Sequence, residues 1–225
     1  MNLAQLRAFT YTHLLNDVVE GKVRPDVDSD ALWSTSFIDT LLNEAQRIFC
    51  QRTHALVESD TPVATVMTLS GVRDYELDAS ILQIYSAHLL LADNTPYELT
   101  QLPSERFRVS NTTARPYCFT TKLTPRAVSF GPTPDDEYTV LLRVARLPAE
   151  MTRDCDEPEI PYHWHLNLCD WAAYRCLSVA NVDDLDRPLS GFYRQRWDEA
   201  VRDANREQQS YKAPYQPLVI GIPWR

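Results

Sequence analysis

The chain has 225 residues, of which 44% are hydrophobic and 24% charged, a composition typical of a globular protein with a sizeable core. Its formal net charge of −9 argues against wrapping a nucleic-acid backbone, because phosphate binding needs clustered Lys and Arg. No apolar run approaches the roughly 20 residues of a membrane helix, and five cysteines without short pairs argue against a disulfide framework.

Residues 1–58 are predicted to contain two helices. The first, capped by Asn2, carries one face at helical spacing, formed by Leu3, Leu6, Thr10 and Leu14. After a loop at 17–33, the second helix is predicted to begin near 34–36, where Ser36 with Asp39 makes a capping-box pattern. Its apolar positions recur at spacings of three and four: Ile38, Leu41, Ala45 and Ile48.

Residues 59–152 are predicted to form an inserted antiparallel β domain. Alternating, β-branched or apolar runs predict strands at 63–69, 81–91, 97–99, 117–123, 127–130 and 138–146. The run 81–91 is apolar enough that we expect it in the interior of a sheet. An antiparallel sheet or a small sandwich is the economical arrangement of such strands.

Residues 153–210 return to helical periodicity. Pro161 suits the first turn of a helix whose apolar stripe comprises Leu166, Cys169, Ala173, Cys176 and Ala180. Pro188 opens the last helix, one face of which carries Leu189, Tyr193, Trp197, Ala200 and Ala204. The predicted fold class is therefore α+β: an antiparallel helical bundle from the N- and C-terminal helices, with the antiparallel β domain inserted between them and an extended C-terminal arm.

The predicted arm comprises residues 211–225. Pro214, Pro217 and Pro223 forbid a helix there and remove the backbone donors of a strand ladder. The arm nevertheless carries six apolar residues that seek burial: Tyr215, Leu218, Val219, Ile220, Ile222 and Trp224. Such a segment must lie along its own domain or along a neighbouring protein.

Candidate metal ligands and acidic groups are present, but each set is incomplete. Asp26, Asp28 and Asp30 resemble the opening of a calcium loop, yet Ala31 and Phe37 occupy positions that require Gly and Glu. A second set, His163, His165 and Cys169, lacks a fourth zinc ligand at a usual spacing. Acidic clusters at 135–137, 154–159 and 183–186 fit solvated connections, and no nucleophile, phosphate-loop or dinucleotide motif occurs. We therefore expect no catalytic residue, cofactor or metal site.

A succession of short motifs resembles the head-to-tail adaptor family of tailed bacteriophages, also called connectors or tail tubular ring proteins. The motifs are Leu-Trp-Ser at 32–34, Leu-Leu-Asn-Glu-Ala-Gln-Arg at 41–47 with Cys50, Arg-Pro-Tyr at 115–117, Gly-Pro-Thr-Pro-Asp at 131–135 with the strand 138–143, Arg-Leu-Pro at 146–148, and Ile-Pro-Tyr-His at 160–163. Each motif is weak alone, and the succession carries the resemblance.

The resemblance implies a structural protein of the virion neck, made in the bacterial host cytoplasm. Such adaptors form rings, commonly of twelve subunits, beneath the portal. The resemblance further implies that the helices form the ring, that the C-terminal arm grips the portal protein, and that the sheet supports the next tail or nozzle protein. Packaged DNA would pass through the lumen, where an acidic wall lets it slide without sequence-specific binding. No membrane and no cofactor are implied.

Three alternatives stay open at this point. A tail-completion or neck protein would bind the tail tube rather than the portal. A monomeric ligand-binding module would need a pocket on the sheet face. A metal-dependent phosphoesterase would use Asp26, Asp28 and Asp30 together with the later acidic loops.

Overall fold

A computed structural model of the chain describes residues 1–15, 33–108, 112–121, 123, 126–178 and 187–212. Two hydrophobic clusters lie within these residues, one built from the helices and the other from the strands. The helical core joins the N-terminal and C-terminal parts of the chain, and the sheet core is built from the residues between them.

The described residues contain four α-helices: Leu3–Phe9 (α1), Thr35–Thr53 (α2), His165–Leu177 (α3) and Arg187–Lys212 (α4). Asn2 caps α1 as predicted, since its side chain accepts a hydrogen bond from the Gln5 backbone N–H at 2.9 Å. A π-helical turn, Thr10–Leu14, continues from α1. None of these helices is long and apolar enough to span a membrane.

The cap of α2 differs from the prediction. Ser34, not Ser36, is the N-cap, and its hydroxyl accepts from the Phe37 backbone N–H at 3.2 Å. Asp39 instead accepts a bidentate hydrogen bond from Arg7 of α1, at 2.7 and 2.8 Å. The charge-assisted pair with a guanidinium is stronger than a cap to a backbone amide, so the carboxylate joins two helices.

The predicted apolar faces of α3 and α4 are buried at most of their positions, but one predicted residue on each helix is exposed. Cys169, Ala173 and Cys176 are buried, while Leu166 is 43% exposed because Leu168 and Ala172 set the centre of the buried face. On α4 the predicted face is buried from Tyr193 onward, and Leu189 is 38% exposed. Pro161 precedes a short 3₁₀ turn, Tyr162–Trp164, that leads into α3. Ala180 lies outside the described residues.

The strands of the described residues are β1 (Val57–Glu58), β2 (Thr65–Met67), β3 (Asp74–Glu76), β4 (Ile81–Leu90), β5 (Pro96–Gln101), β6 (Cys118–Thr120), β7 (Ala127–Gly131) and β8 (Thr139–Arg146). They form one curled sheet with the order β1-β8-β4-β5-β6-β7-β3, and β2 also pairs with β8. The apolar run 81–91 supplies β4, which lies between β8 and β5 as its composition predicts. The short strands β1 and β3 were not predicted.

The predicted fold class is wrong. The protein is not an antiparallel helical bundle with an inserted antiparallel β domain, because its largest element is a single curled, mixed sheet of eight strands. The strands β5 and β6 pair in parallel, Thr100 with Cys118 and Gln101 with Phe119. Residues 102–117 separate these strands, and a connection of that length can return the chain to run in the same direction, which a tight hairpin turn cannot do.

The helical core is centred on aromatic side chains. Trp197 of α4 is fully buried, and its ring centroid lies 5.2 Å from that of Trp171 and 5.8 Å from that of Phe49. The sheet core is mainly aliphatic, with Phe119 and Phe130 as its largest fully buried side chains. The two cores therefore differ in composition, aromatic between the helices and mainly aliphatic along the strands.

Candidate assembly surfaces

The six apolar residues of the predicted arm lie outside the described residues: Tyr215, Leu218, Val219, Ile220, Ile222 and Trp224. Asp26, Asp28 and Asp30 also lie outside them, as does the acidic cluster 183–186. These assignments therefore stay predictions.

His165 and Cys169 serve the packing of α3. His165 is buried, and its Nε2 donates to the Ile160 carbonyl at 3.0 Å; burial lowers the pKa of this histidine. The Cys169 thiol donates to the Leu6 carbonyl at 3.6 Å, and burial raises its pKa to about 12. His163 instead faces Glu207 of α4 at 3.3 Å. The described part of the chain holds no cluster of three metal-ligating side chains, and all five cysteines are free thiols.

Three of the acidic residues at 154–159 form structural contacts: Asp154, Asp156 and Glu159. The carboxylate of Asp156 accepts from the backbone N–H groups of Thr152 and Arg153, which hold its pKa at about 2. Asp154 pairs with Arg7 at 2.9 Å. These carboxylates brace the connection between the sheet and the helices, a structural role that the prediction of solvated loops did not include.

A second brace lies where β8 ends, at Arg146. Its guanidinium pairs with Glu159 at 2.8 Å and also with Glu58. These two ion pairs join β8 to the segment 147–160 and to β1. Hydrogen bonding to Arg146 lowers the pKa of both carboxyl groups. Arg146 is only 15% exposed, so this pair is shielded more than a surface salt bridge.

Two side-chain amides of α2, Asn43 and Gln46, form what we call the amide clamp. Asn43 donates to the Met151 carbonyl and accepts from the Met151 N–H, both at 2.9 Å, as a neighbouring strand would. Gln46 is buried; it donates to the Ala149 carbonyl at 3.1 Å and accepts from the Glu159 N–H at 2.8 Å. Backbone groups of the segment 147–160 thus find partners on a helix.

Beside the clamp is a groove of about 270 Å³, which we call the α2 groove. Its helical wall includes Thr40, Asn43, Glu44 and Arg47, and its other wall is the segment 148–150. Glu44 pairs with Arg175 of α3. Arg47 and Glu150 are exposed, and neither forms an ion pair with another described residue. The groove is an open depression with an uncommitted cation at its edge.

The exposed side of α4 carries Leu189, Phe192 and Glu199, which we call the α4 outer face. Phe192 is 53% exposed, and the Arg196 guanidinium lies 5.7 Å from its ring centroid. Arg196 also faces the buried Asp170 of α3 at 3.4 Å. A half-exposed phenylalanine beside an exposed leucine is a typical anchor for another protein.

A second exposed apolar surface lies on the sheet, at β2 and the turn that follows it. Met67 is 58% exposed and Leu69 51%, and Val72 follows in the turn after β2. The Gly71 N–H donates to the Pro134 carbonyl at 2.8 Å, which ties this turn to the connection before β8. Elsewhere on the sheet, Tyr117 is 55% exposed, and its backbone N–H donates to the Gly131 carbonyl at 3.0 Å. Exposed apolar residues are therefore present on both the helical and the sheet parts.

The family model for the SU10 adaptor protein matches residues 1–219. The chain belongs to the SU10 adaptor protein family. This is a phage head-to-tail adaptor family, as the succession of sequence motifs predicted, and the protein is a phage structural adaptor rather than a member of an enzyme family. No curated protein matches the chain. The braces and exposed surfaces described above are accordingly those of an SU10 adaptor.

The Leu-Leu-Asn-Glu-Ala-Gln-Arg motif at 41–47 can now be interpreted residue by residue. Leu41, Leu42 and Ala45 are buried in the helical core, while Asn43 and Gln46 form the amide clamp. The sequence pattern places both amides in the family motif and gives neither of them a role. A buried glutamine among apolar positions was the available signal, because a buried amide requires hydrogen-bond partners.

Proposed function

We propose that this SU10 adaptor forms a ring between the portal and the tail, with the twelve subunits that the resemblance implies. In this proposal the portal protein is above the ring, the next tail or nozzle protein is below it, and the genome passes through the lumen. The family match over residues 1–219 is the observation that carries the proposal. The net charge of −9 supports a lumen that repels DNA rather than binding it.

We further propose that the apolar residues at 215–224 are the portal-binding arm. The sequence supports this, because three prolines keep the segment from a helix while six apolar residues require burial. The helix α4 continues to Lys212, two residues into the predicted arm, and ends before the first of the arm's three prolines. A ring of identical subunits presents many arms together, so that each arm needs only modest affinity.

The test is the mass of the purified chain, alone and mixed with the portal ring from the same genome. A large co-migrating complex is expected for the full chain, and truncation after Lys212 should abolish it while leaving α4 intact. A full-length control variant, with the six apolar arm residues changed to serine, should behave like the truncation. Portal binding that survives both changes would refute the arm.

A tail-tube attachment is the remaining alternative within the neck. The same mass measurement with the tail-tube protein separates the two: binding to the tube without binding to the portal would replace the adaptor proposal by a tail-completion role. Binding to the portal in a complex much smaller than a ring would contradict ring formation.

A further inference from the structure

We propose that the α4 outer face of one subunit docks into the α2 groove of a second copy of this chain. The inference rests on the proposed ring and names the two surfaces that would build it. Ring formation requires a heterologous interface, in which two different patches on one subunit are complementary. The described residues offer a protruding patch on α4 and a depression on α2.

The two patches lie on different sides of the helical core. Arg52 of α2 pairs with Asp198 of α4 at 2.9 Å, which marks the edges where these helices face each other. At 3.6 residues per turn, Phe192 lies about 120° around α4 from Asp198, and Arg47 lies about 140° around α2 from Arg52. Both patches therefore face away from the α2–α4 contact, so one subunit can be joined on two sides.

The size of the groove suits an aromatic side chain. Its volume is about 270 Å³, and a protein cavity of roughly 150 Å³ can already hold a benzene ring. Phe192 and Leu189 are neighbours at helical spacing on α4, and both are exposed. Burying both in a groove would remove from water an apolar pair that the described residues leave uncovered.

The charges along the two surfaces are also complementary. Thr40 and Arg47 are seven positions apart on one face of α2, and Phe192 and Glu199 are seven apart on one face of α4, so each pair spans about 10 Å. When Phe192 lies near Thr40, Glu199 can therefore reach Arg47. Arg47 has no ion-pair partner among the described residues, and Glu199 is half exposed, with its nearest cation, Arg202, at 3.9 Å.

The test is photo-crosslinking from position 192 in the full chain assembled with the portal. Phe192 is replaced by a benzophenone amino acid, and light and heavy isotope-labelled chains are mixed, so that a mixed-isotope adduct identifies a contact between copies. We expect such adducts to map to residues 40–47 or 148–150. The control probe at Tyr162, which is 71% exposed, should give none in the groove.

Charge exchange provides a second measurement. Arg47→Glu should weaken self-association at least about tenfold in sedimentation experiments, and Glu199→Arg in the same chain should restore most of it. Phe192→Ser should weaken self-association by a similar or larger factor. Circular dichroism of each variant should show an unchanged fold, because all three side chains are exposed.

The outcomes separate this inference from the proposed function. A portal-bound ring whose adducts map elsewhere, or to residues 213–225 of the same chain, would overturn the docking surfaces and leave the adaptor ring standing. A chain that neither self-associates nor joins the portal would overturn both.

Discussion

The helical core and the sheet core of this adaptor are built by different means. The helical core holds Trp171 and Trp197, and polar side chains on its helices reach outward to bind the segment 147–160. The sheet core is mainly aliphatic, and backbone pairing along β4 and β8 holds it together. The difference indicates that the segment 147–160 is held from both sides by side chains, from α2 through Asn43 and Gln46 and from β8 through Arg146, whereas backbone pairing holds the strands to one another.

The largest expected effect comes from removing a large buried side chain from one core and measuring the unfolding of both cores. Trp197→Ala should destabilise the protein by about 3–5 kcal/mol, and Phe130→Ala in the sheet core by a similar amount. Because the braces join the cores, we expect each variant to unfold in a single transition. Tryptophan fluorescence follows the helical core and hydrogen exchange follows β4 and β8 separately; two midpoints in either variant would show that the cores unfold independently.

The brace at Arg146 gives the next largest expected effect. Arg146→Met keeps the aliphatic stem but leaves Glu58 and Glu159 without their cation, and should cost about 2–3 kcal/mol at pH 7. Since Arg146 lowers the pKa of both carboxyl groups, its contribution is present above about pH 4.3 and is lost as the pH falls through the folded-state values. Urea denaturation at pH 7 and pH 3 measures this change.

The control for that experiment is Arg206→Ala, which removes an exposed ion pair with Asp203 on α4. Little change is expected at either pH, because solvent screens exposed pairs. A cost equal to that of Arg146→Met would contradict the special position of Arg146 between the cores.

Asp170 of α3, in the helical core, gives the opposite pH dependence: it reduces the free energy of unfolding as the pH rises. Its side chain is 1% exposed, and among the described residues its Oδ1 atom receives no hydrogen bond, although Arg196 lies 3.4 Å away. Burial raises its pKa to about 6, whereas an unfolded aspartate titrates near 3.9. Ionisation therefore costs folding free energy progressively between about pH 4 and pH 6.

Asp170→Asn should consequently stabilise the protein by about 2 kcal/mol at pH 7.5, and by almost nothing at pH 3.5. Thermal unfolding across this range measures the difference, with the exposed Asp203→Asn as the matched control. A constant difference between wild type and variant at all pH values would show that ionisation of Asp170 is not its cause.

The smallest expected effect tests the amide clamp alone. Asn43→Ala removes two hydrogen bonds and leaves both backbone groups of Met151 without partners, so we expect a cost of about 1–2 kcal/mol. The control Thr40→Ala, one turn away, removes a hydroxyl that bonds only within α2. If exchange of the amides at 147–151 is equally fast in both variants, the clamp does not hold that segment.

The sequence alone determined the family and many of the local elements, though not the cap of α2 or the short strands β1 and β3. The Asn2 cap and the periodic faces predicted α1 and the buried centres of α3 and α4, and the apolar run 81–91 predicted an interior strand, because these features depend on residues close together in the chain. The order of short motifs was sufficient to indicate a phage adaptor, since it required no knowledge of pairing.

Only the tertiary structure decided the sheet and the partners of the polar side chains. The parallel pairing of β5 with β6 joins Thr100 and Gln101 to Cys118 and Phe119. The roles of Asn43 and Gln46 depend on a segment about one hundred residues away, and the role of Arg146 depends also on β1. Local periodicity contains no information about such distant partners. The predicted bundle with an inserted antiparallel domain was wrong for that physical reason. The sequence pattern specifies which face of an element is buried, whereas long-range pairing decides which other element that face packs against.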